Sequence, residues 1–250
     1  MKSILVVLAI VSLALSQMTC GSKNTQSVAN VSSANSETGE TVVDPAAKSE
    51  AQRLLEQGNE LARQDKDSEA AEIYQRAVSL DPDLAEAHLR LAMTYLVLEK
   101  KDEAEGEYKK AAEAYQKYVR QNPKDAKAFF NMGLAYNRLD KPAEAVKALH
   151  QATRLEPENS EYQYELGIAY GKVAQYQEAV NALQRALEID PDYYRAQEAL
   201  EKAKIDLQRW QAMVKQQEAI AKRQANKNGN ANASANANSA TSTSPTPEDH

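Results

Sequence analysis

One cysteine, three histidines, one tryptophan, two phenylalanines and eight glycines are all that 250 residues contain of these types. A lone thiol excludes an internal disulfide framework and any zinc site built on several thiolates. Three histidines leave little for metal ligation or general-base chemistry. Glycine at about half its average usage disfavours strands joined by tight turns. A positive excess is missing too. Thirty Lys+Arg against 36 Asp+Glu leave a formal net charge of −6. A surface that neutralises phosphates needs the opposite sign, so nucleic acid is not expected as a partner. What the chain does have is twelve tyrosines.

The ends differ from the middle. Residues 1–19, MKSILVVLAIVSLALSQMT, start with Lys2 and run apolar over residues 4–15. That run is too short to span a bilayer as a helix and suits a secretory signal. Cys20 follows, before Gly21 and Ser22. This resembles a bacterial lipoprotein signal, in which the cysteine becomes the lipidated first residue. It departs from that pattern at Gln17 and Thr19, and the alternative is a plain secreted chain. The resemblance implies export to the periplasmic side of a bacterial membrane with a lipid anchor at Cys20. Gly21 resembles signals for the outer membrane. Residues 20–47 read as a disordered tether and residues 226–250 as a disordered low-complexity tail.

The middle repeats every 34 residues: Gly133 returns as Gly167, Tyr136 as Tyr170, Ala145 as Ala179, Ala152 as Ala186 and Pro157 as Pro191. Extended backwards, the lattice gives a domain over residues 48–193 with units at 51–84, 85–125, 126–159 and 160–193. Each unit predicts two helices. The first carries a small residue (Gly58, Ala92, Gly133, Gly167) and, three positions on, a large one (Leu61, Tyr95, Tyr136, Tyr170). The second opens on Ala70, Ala104, Ala145 or Ala179 and continues with Tyr74, Tyr108, Leu149 or Leu183. Spacings of three and four put these on one helical face, where small and large residues interlock. Pro82, Pro123, Pro157 and Pro191 close the units, because proline cannot extend the second helix. Asp83, Asp125 and Asp192 stand where N-caps of the following helices are expected.

The second unit is seven residues too long, and Ala104 and Tyr108 are echoed by Ala111 and Tyr115. Seven residues are nearly two turns, so the buried face stays in phase. One unbroken helix over residues 102–121 is predicted, about 10 Å longer than its counterparts. Its projecting end is either a docking ridge or an insertion without function. Residues 194–225 hold no glycine or proline and carry Leu200, Ala203, Leu207, Trp210 and Val214 at spacings of three and four. They predict a helix that caps the last unit. Its second half outruns that unit, leaving Trp210, Met213 and Ile220 exposed or available for a homodimer.

The unit pattern is similar to the tetratricopeptide repeat. It departs locally: Gln57 replaces a leucine, and Leu54, His88, Phe129 and Gln163 stand at the fourth place, where the family often has tryptophan. The resemblance implies an all-α fold, an α-solenoid of stacked antiparallel helix pairs with a long C-terminal capping helix and disordered termini. It also implies that the first helices line a concave groove. The groove places are Leu55, Asn59 and Arg63; Leu89, Met93, Leu96 and Val97; Lys127, Phe130, Leu134, Asn137 and Arg138; and Tyr164, Ile168 and Lys172. An apolar centre with cations at its borders suits an extended or helical peptide. The other possibility is that these residues pack between helices. The family's clamp for a terminal carboxylate is matched only by Asn59 and Lys127, while Leu55, Arg90 and Asn131 depart from it, so that mode is not expected.

Motifs for chemistry are sparse. Residues 167–172, GIAYGK, have too few residues between the glycines for a phosphate loop and continue with Val173. Asp81-Pro82-Asp83 and Asp190-Pro191-Asp192 lack the alternating oxygens of a calcium loop. No metal, cofactor or catalytic residue is expected. The expected function is a non-catalytic scaffold in the bacterial envelope that binds a protein or peptide in its groove. The alternatives are a self-associating structural protein and an accessory subunit of an envelope assembly complex.

Overall fold

The computed structural model describes residues 44–240, with side chains as far as residue 227. The chain divides into two units, Met1–Val42 and Val43–His250, and every described residue lies in the second. Cys20, the apolar run over residues 4–15 and most of the expected tether lie outside the described residues.

Among the described residues there are nine helices and no strand: α1 (Pro45–Arg63), α2 (Asp67–Leu80), α3 (Ala85–Val97), α4 (Lys101–Gln121), α5 (Ala126–Arg138), α6 (Pro142–Leu155), α7 (Ser160–Lys172), α8 (Tyr176–Ile189) and α9 (Tyr194–Ala240). They form the expected all-α solenoid. α1 pairs with α2, α3 with α4, α5 with α6 and α7 with α8; each pair packs on the next, and α9 closes the stack on α8. The apolar core is correspondingly local. One cluster joins α1, α2 and α3, and another joins α7, α8 and α9. Stability in such a stack is a sum of unit and neighbour terms.

The small–large lattice sets the distance between paired helices. A carbon added to Gly58 would lie 2.5 Å from Cε1 of Tyr74, and one added to Gly167 would lie 2.6 Å from Cγ of Leu183. No real side chain tolerates such contacts, so the axes are as close as glycine allows. Tyr74 and Leu183 are in turn almost fully buried.

Each first helix ends the same way, although none has glycine there. Asp65, Glu99, Asp140 and Ala174 adopt positive φ, between 52° and 60°. The following amide then donates back to the helix: Lys66 N to Leu61 O, Lys100 N to Tyr95 O, Lys141 N to Tyr136 O and Gln175 N to Tyr170 O, at 2.8–3.0 Å. This is a Schellman closure, which ordinarily selects glycine at the left-handed position.

Several boundaries differ from the sequence reading. α1 starts at Pro45, inside the expected tether, because the Asp44 carboxylate accepts from Ala46 N and Pro45 suits the first helical turn. Asp125 caps α5 as expected. Asp83 does not cap α3; it accepts from Lys117 Nζ at 2.9 Å. Asp192 is displaced likewise. In both junctions the preceding aspartate turns the chain across the proline: Asp81 accepts from Asp83 N and Asp190 from Asp192 N. α7 takes an N-cap from Asn159 instead.

The long α4 is continuous, but its added turns are not a free ridge. Tyr115 and Val119 are buried there, and Asn131 donates to the Tyr115 hydroxyl at 2.9 Å. α9 runs on to Ala240, through residues 226–240 that composition assigned to a disordered tail. That segment has no proline to stop a helix already formed upstream of it.

Candidate peptide groove

The backbone of each odd-numbered helix approaches that of the next odd-numbered helix, while among the described residues no two even-numbered helices approach as closely. The odd helices are therefore on the inner wall of the stack. Polar contacts cross that wall from helix to helix. Lys127 of α5 lies 3.6 Å from the Glu86 carboxylate of α3. Lys172 of α7 donates to the backbone carbonyl of Asn137 in α5 at 3.0 Å. Arg195 of α9 lies 4.0 Å from Glu165 of α7 and stacks over the Tyr164 ring, 4.8 Å from its centroid.

The expected groove residues divide by place in the repeat. Leu55, Leu89, Phe130 and Tyr164, all at the fifth place, are buried. They pack between helices and do not face a ligand. Phe130 stacks on Tyr162 with ring centroids 4.5 Å apart, and burial pushes the Tyr162 hydroxyl up to about 12. Asn59, Leu134, Asn137 and Ile168 are half-buried; Asn59 accepts from the Tyr74 hydroxyl at 2.9 Å. Arg63, Lys127, Arg138 and Lys172 are exposed. Met93, Leu96 and Val97 form an exposed apolar strip on α3, with Val97 at 64 % exposure.

Glu86, Arg90, Glu165 and Arg195 belong to the wall and were absent from the sequence-derived set. Arg90 and Glu165 hold the sixth place in their units. The missed signal was charge at that place in α3 and α7. Arg90 donates to Glu86 at 3.2 Å. Burial pushes the Glu165 carboxyl above the ordinary carboxylate range, against the pull of Arg195, Arg138 and Lys172.

Three polar atoms on this wall are shielded and unpartnered: Nε of Arg90, and both Nδ2 and Oδ1 of the Asn137 side chain. An amide left unpaired on both sides is an uncompensated cost. Its oxygen is an acceptor and its nitrogen carries two N–H donors. No group of His, Cys, Asp or Glu among the described residues would hold a metal ion. The wall thus offers apolar contact, hydrogen bonding and charge.

Three family models match the chain: Tetratricopeptide repeat over residues 83–158 and again over 160–193, and TPR repeat over residues 58–97. Together they cover more than half of it. Solved structures are similar as well. A crystal structure of MamA protein is 23 % identical, over 66 % of this chain and 86 % of that one, with a TM-score of 0.48. YrrB, a TPR protein with an unusual peptide-binding site, is 23 % identical over 62 % of this chain and 93 % of its own, with a TM-score of 0.34. The second TPR domain of human RPAP3, solved with an HSP70 peptide, is 28 % identical over 40 % of this chain and 83 % of its own, with a TM-score of 0.39. At those scores the likenesses carry no argument about the site. A comparison with curated proteins finds no match.

Proposed function

Because the chain belongs to the tetratricopeptide repeat family, we propose that it is a non-catalytic scaffold whose inner wall binds a partner polypeptide. One observation carries this reading. Met93, Leu96 and Val97 are exposed together on the inner wall. An extended or helical peptide would cover the strip, with Lys127 and Arg138 at its flanks. The reading extends to the cell envelope. Lys2, the apolar run over residues 4–15 and Cys20 support export and a lipid anchor on the periplasmic side, with the outer membrane favoured.

Photo-crosslinking tests the groove. A reactive side chain at Met93 or Val97 is expected to capture one and the same polypeptide. The same group at Gln75, exposed on α2, is expected to miss it. Met93→Glu with Val97→Glu should abolish the adduct and leave the helical content unchanged. Identical adducts from the three positions would sink the proposal. Metabolic labelling with a radioactive fatty acid tests the anchor: label in the intact chain and none in Cys20→Ser is expected, and an intact chain without label would contradict it.

A further inference from the structure

Beyond Leu207, no described residue of α9 belongs to a buried cluster. Leu200 and Ala203 pack on α7 and α8, with Leu207 at the edge of that cluster. Beyond it Trp210, Met213 and Ile220 are 44 %, 53 % and 40 % exposed. At helical spacing Leu207, Trp210, Met213, Val214 and Ile220 share one broad face. Lys215, Lys222 and Arg223 lie on the opposite face, and Arg209 and Lys227 lie at its edges. Glu218 is the one acidic residue between 207 and 227. Arg209 pairs with Asp206 at 3.7 Å, so four cations against Glu218 leave residues 210–227 at +3, in a chain whose total is −6.

We propose that this half of α9 lies on an anionic lipid surface, its apolar face in the headgroup boundary and its cations toward lipid phosphates. Three features select that occupant. First, the charge is concentrated and positive, complementary to an anionic leaflet and repulsive to a second copy of the same helix. Second, the apolar face is not a coiled-coil seam. The heptad through Leu200, Ala203, Leu207, Trp210 and Val214 would next require residues 217 and 221, which are glutamine and alanine. Met213 and Ile220 fall beside that seam and widen the face, which fits a flat surface and not a narrow groove between helices. Third, no helix among the described residues is long and apolar enough to cross a membrane, so contact is along the interface. The inference stands or falls without the groove, because none of the groove residues is used in it.

Trp210 is the chain's one tryptophan and reports on this face alone. The experiment uses the full chain carrying Cys20→Ser, so that no acyl chain contributes. It is mixed with vesicles of phosphatidylcholine alone, or of phosphatidylcholine with phosphatidylglycerol. The expected result is a blue shift of Trp210 emission, quenched by bromine-labelled acyl chains, only when phosphatidylglycerol is present and reversed by salt. Replacing Lys215, Lys222 and Arg223 together by glutamine should weaken binding about a hundredfold. Met213→Glu with Ile220→Glu should abolish it. The proposal is overturned by an equal shift with both vesicle types or by no shift with either. It is equally overturned by a lipid-free shift that grows with protein concentration as the mass doubles, which would make the occupant a second copy. A shift with polyglutamate but not with vesicles would make it an acidic protein, with the same consequence.

Discussion

A carbon added to Gly133 would lie 2.5 Å from Cγ of Leu149, across the junction between α5 and α6. Leu149 has no exposed surface, so it has nowhere to move. Gly133→Ala is therefore expected to destabilise the protein by about 1–3 kcal/mol through overpacking. That cost arises although alanine is the better helix former by about 1 kcal/mol. The test is a change of sign. With Leu149→Ala already in place the space is free, and adding Gly133→Ala should then stabilise. Urea unfolding of the four proteins measures it, and a destabilising effect in both backgrounds would show that the contact is not the cause.

The turn after α7 holds Ala174 at a φ of 58°. A left-handed conformation costs a residue with a side chain about 1–2 kcal/mol. Glycine removes that strain but gains freedom in the unfolded chain, which returns part of the benefit. Ala174→Gly is expected to raise stability by about 0.5–1 kcal/mol. Asp140→Gly should gain less, because aspartate tolerates this region better than alanine does. Equal melting temperatures for Ala174→Gly and its parent would contradict the assignment of strain to this turn.

The repeat lattice was legible in the sequence because it rests on size. Gly58 against Tyr74 and Gly133 against Leu149 must alternate small and large wherever two helices cross, and that alternation survives at a fixed period. The phase of the extended α4 was legible for the same reason, since seven residues preserve the buried face. The turns were not legible: Asp65, Glu99, Asp140 and Ala174 lack the glycine that marks a Schellman closure, and backbone hydrogen bonding enforces the conformation regardless. The groove was half legible. The family resemblance assigned the fifth place to the groove, but Leu55, Leu89, Phe130 and Tyr164 are buried in the clusters between helices. How far each pair rotates on the next decides which neighbouring place faces inward, and no single unit encodes that rotation.

Glu165 on the inner wall has its carboxyl pushed above the ordinary carboxylate range, with burial as the largest cause and Arg195 and Arg138 pulling the other way. An acid raised in this manner holds its proton more tightly folded than unfolded. Stability therefore falls as pH rises from the ordinary carboxylate value through the raised one, and returns on acidification. Glu165→Gln removes the buried charge. It should be more stable than the parent at neutral pH, with the difference closing in acid. Urea midpoints across a pH series decide the matter. A variant weaker at neutral pH would mean that the pairing with Arg195 outweighs burial.

His88 and Glu107 tie α3 to α4 with the opposite dependence on pH. The His88 ring is buried; its Nδ1 lies 2.6 Å from the Glu107 carboxylate and its Nε2 lies 3.0 Å from the Pro82 carbonyl. A carbonyl only accepts, so Nε2 donates to Pro82 and the ring joins the end of α2 to α4. Burial works to raise the Glu107 carboxyl, but hydrogen bonds from His88 and Lys110 outweigh it and hold the group below the ordinary range. A lowered acid contributes stability above its unfolded value and loses it as pH falls through the folded one. Glu107→Gln is expected to cost about 1–3 kcal/mol at neutral pH, and the cost should shrink in acid. His88→Leu should cost a similar amount, because it leaves the Pro82 carbonyl unpaired. The two changes together should cost less than their sum, since each already removes the shared interaction. Strictly additive costs in urea unfolding would show that the pair does not act as a unit.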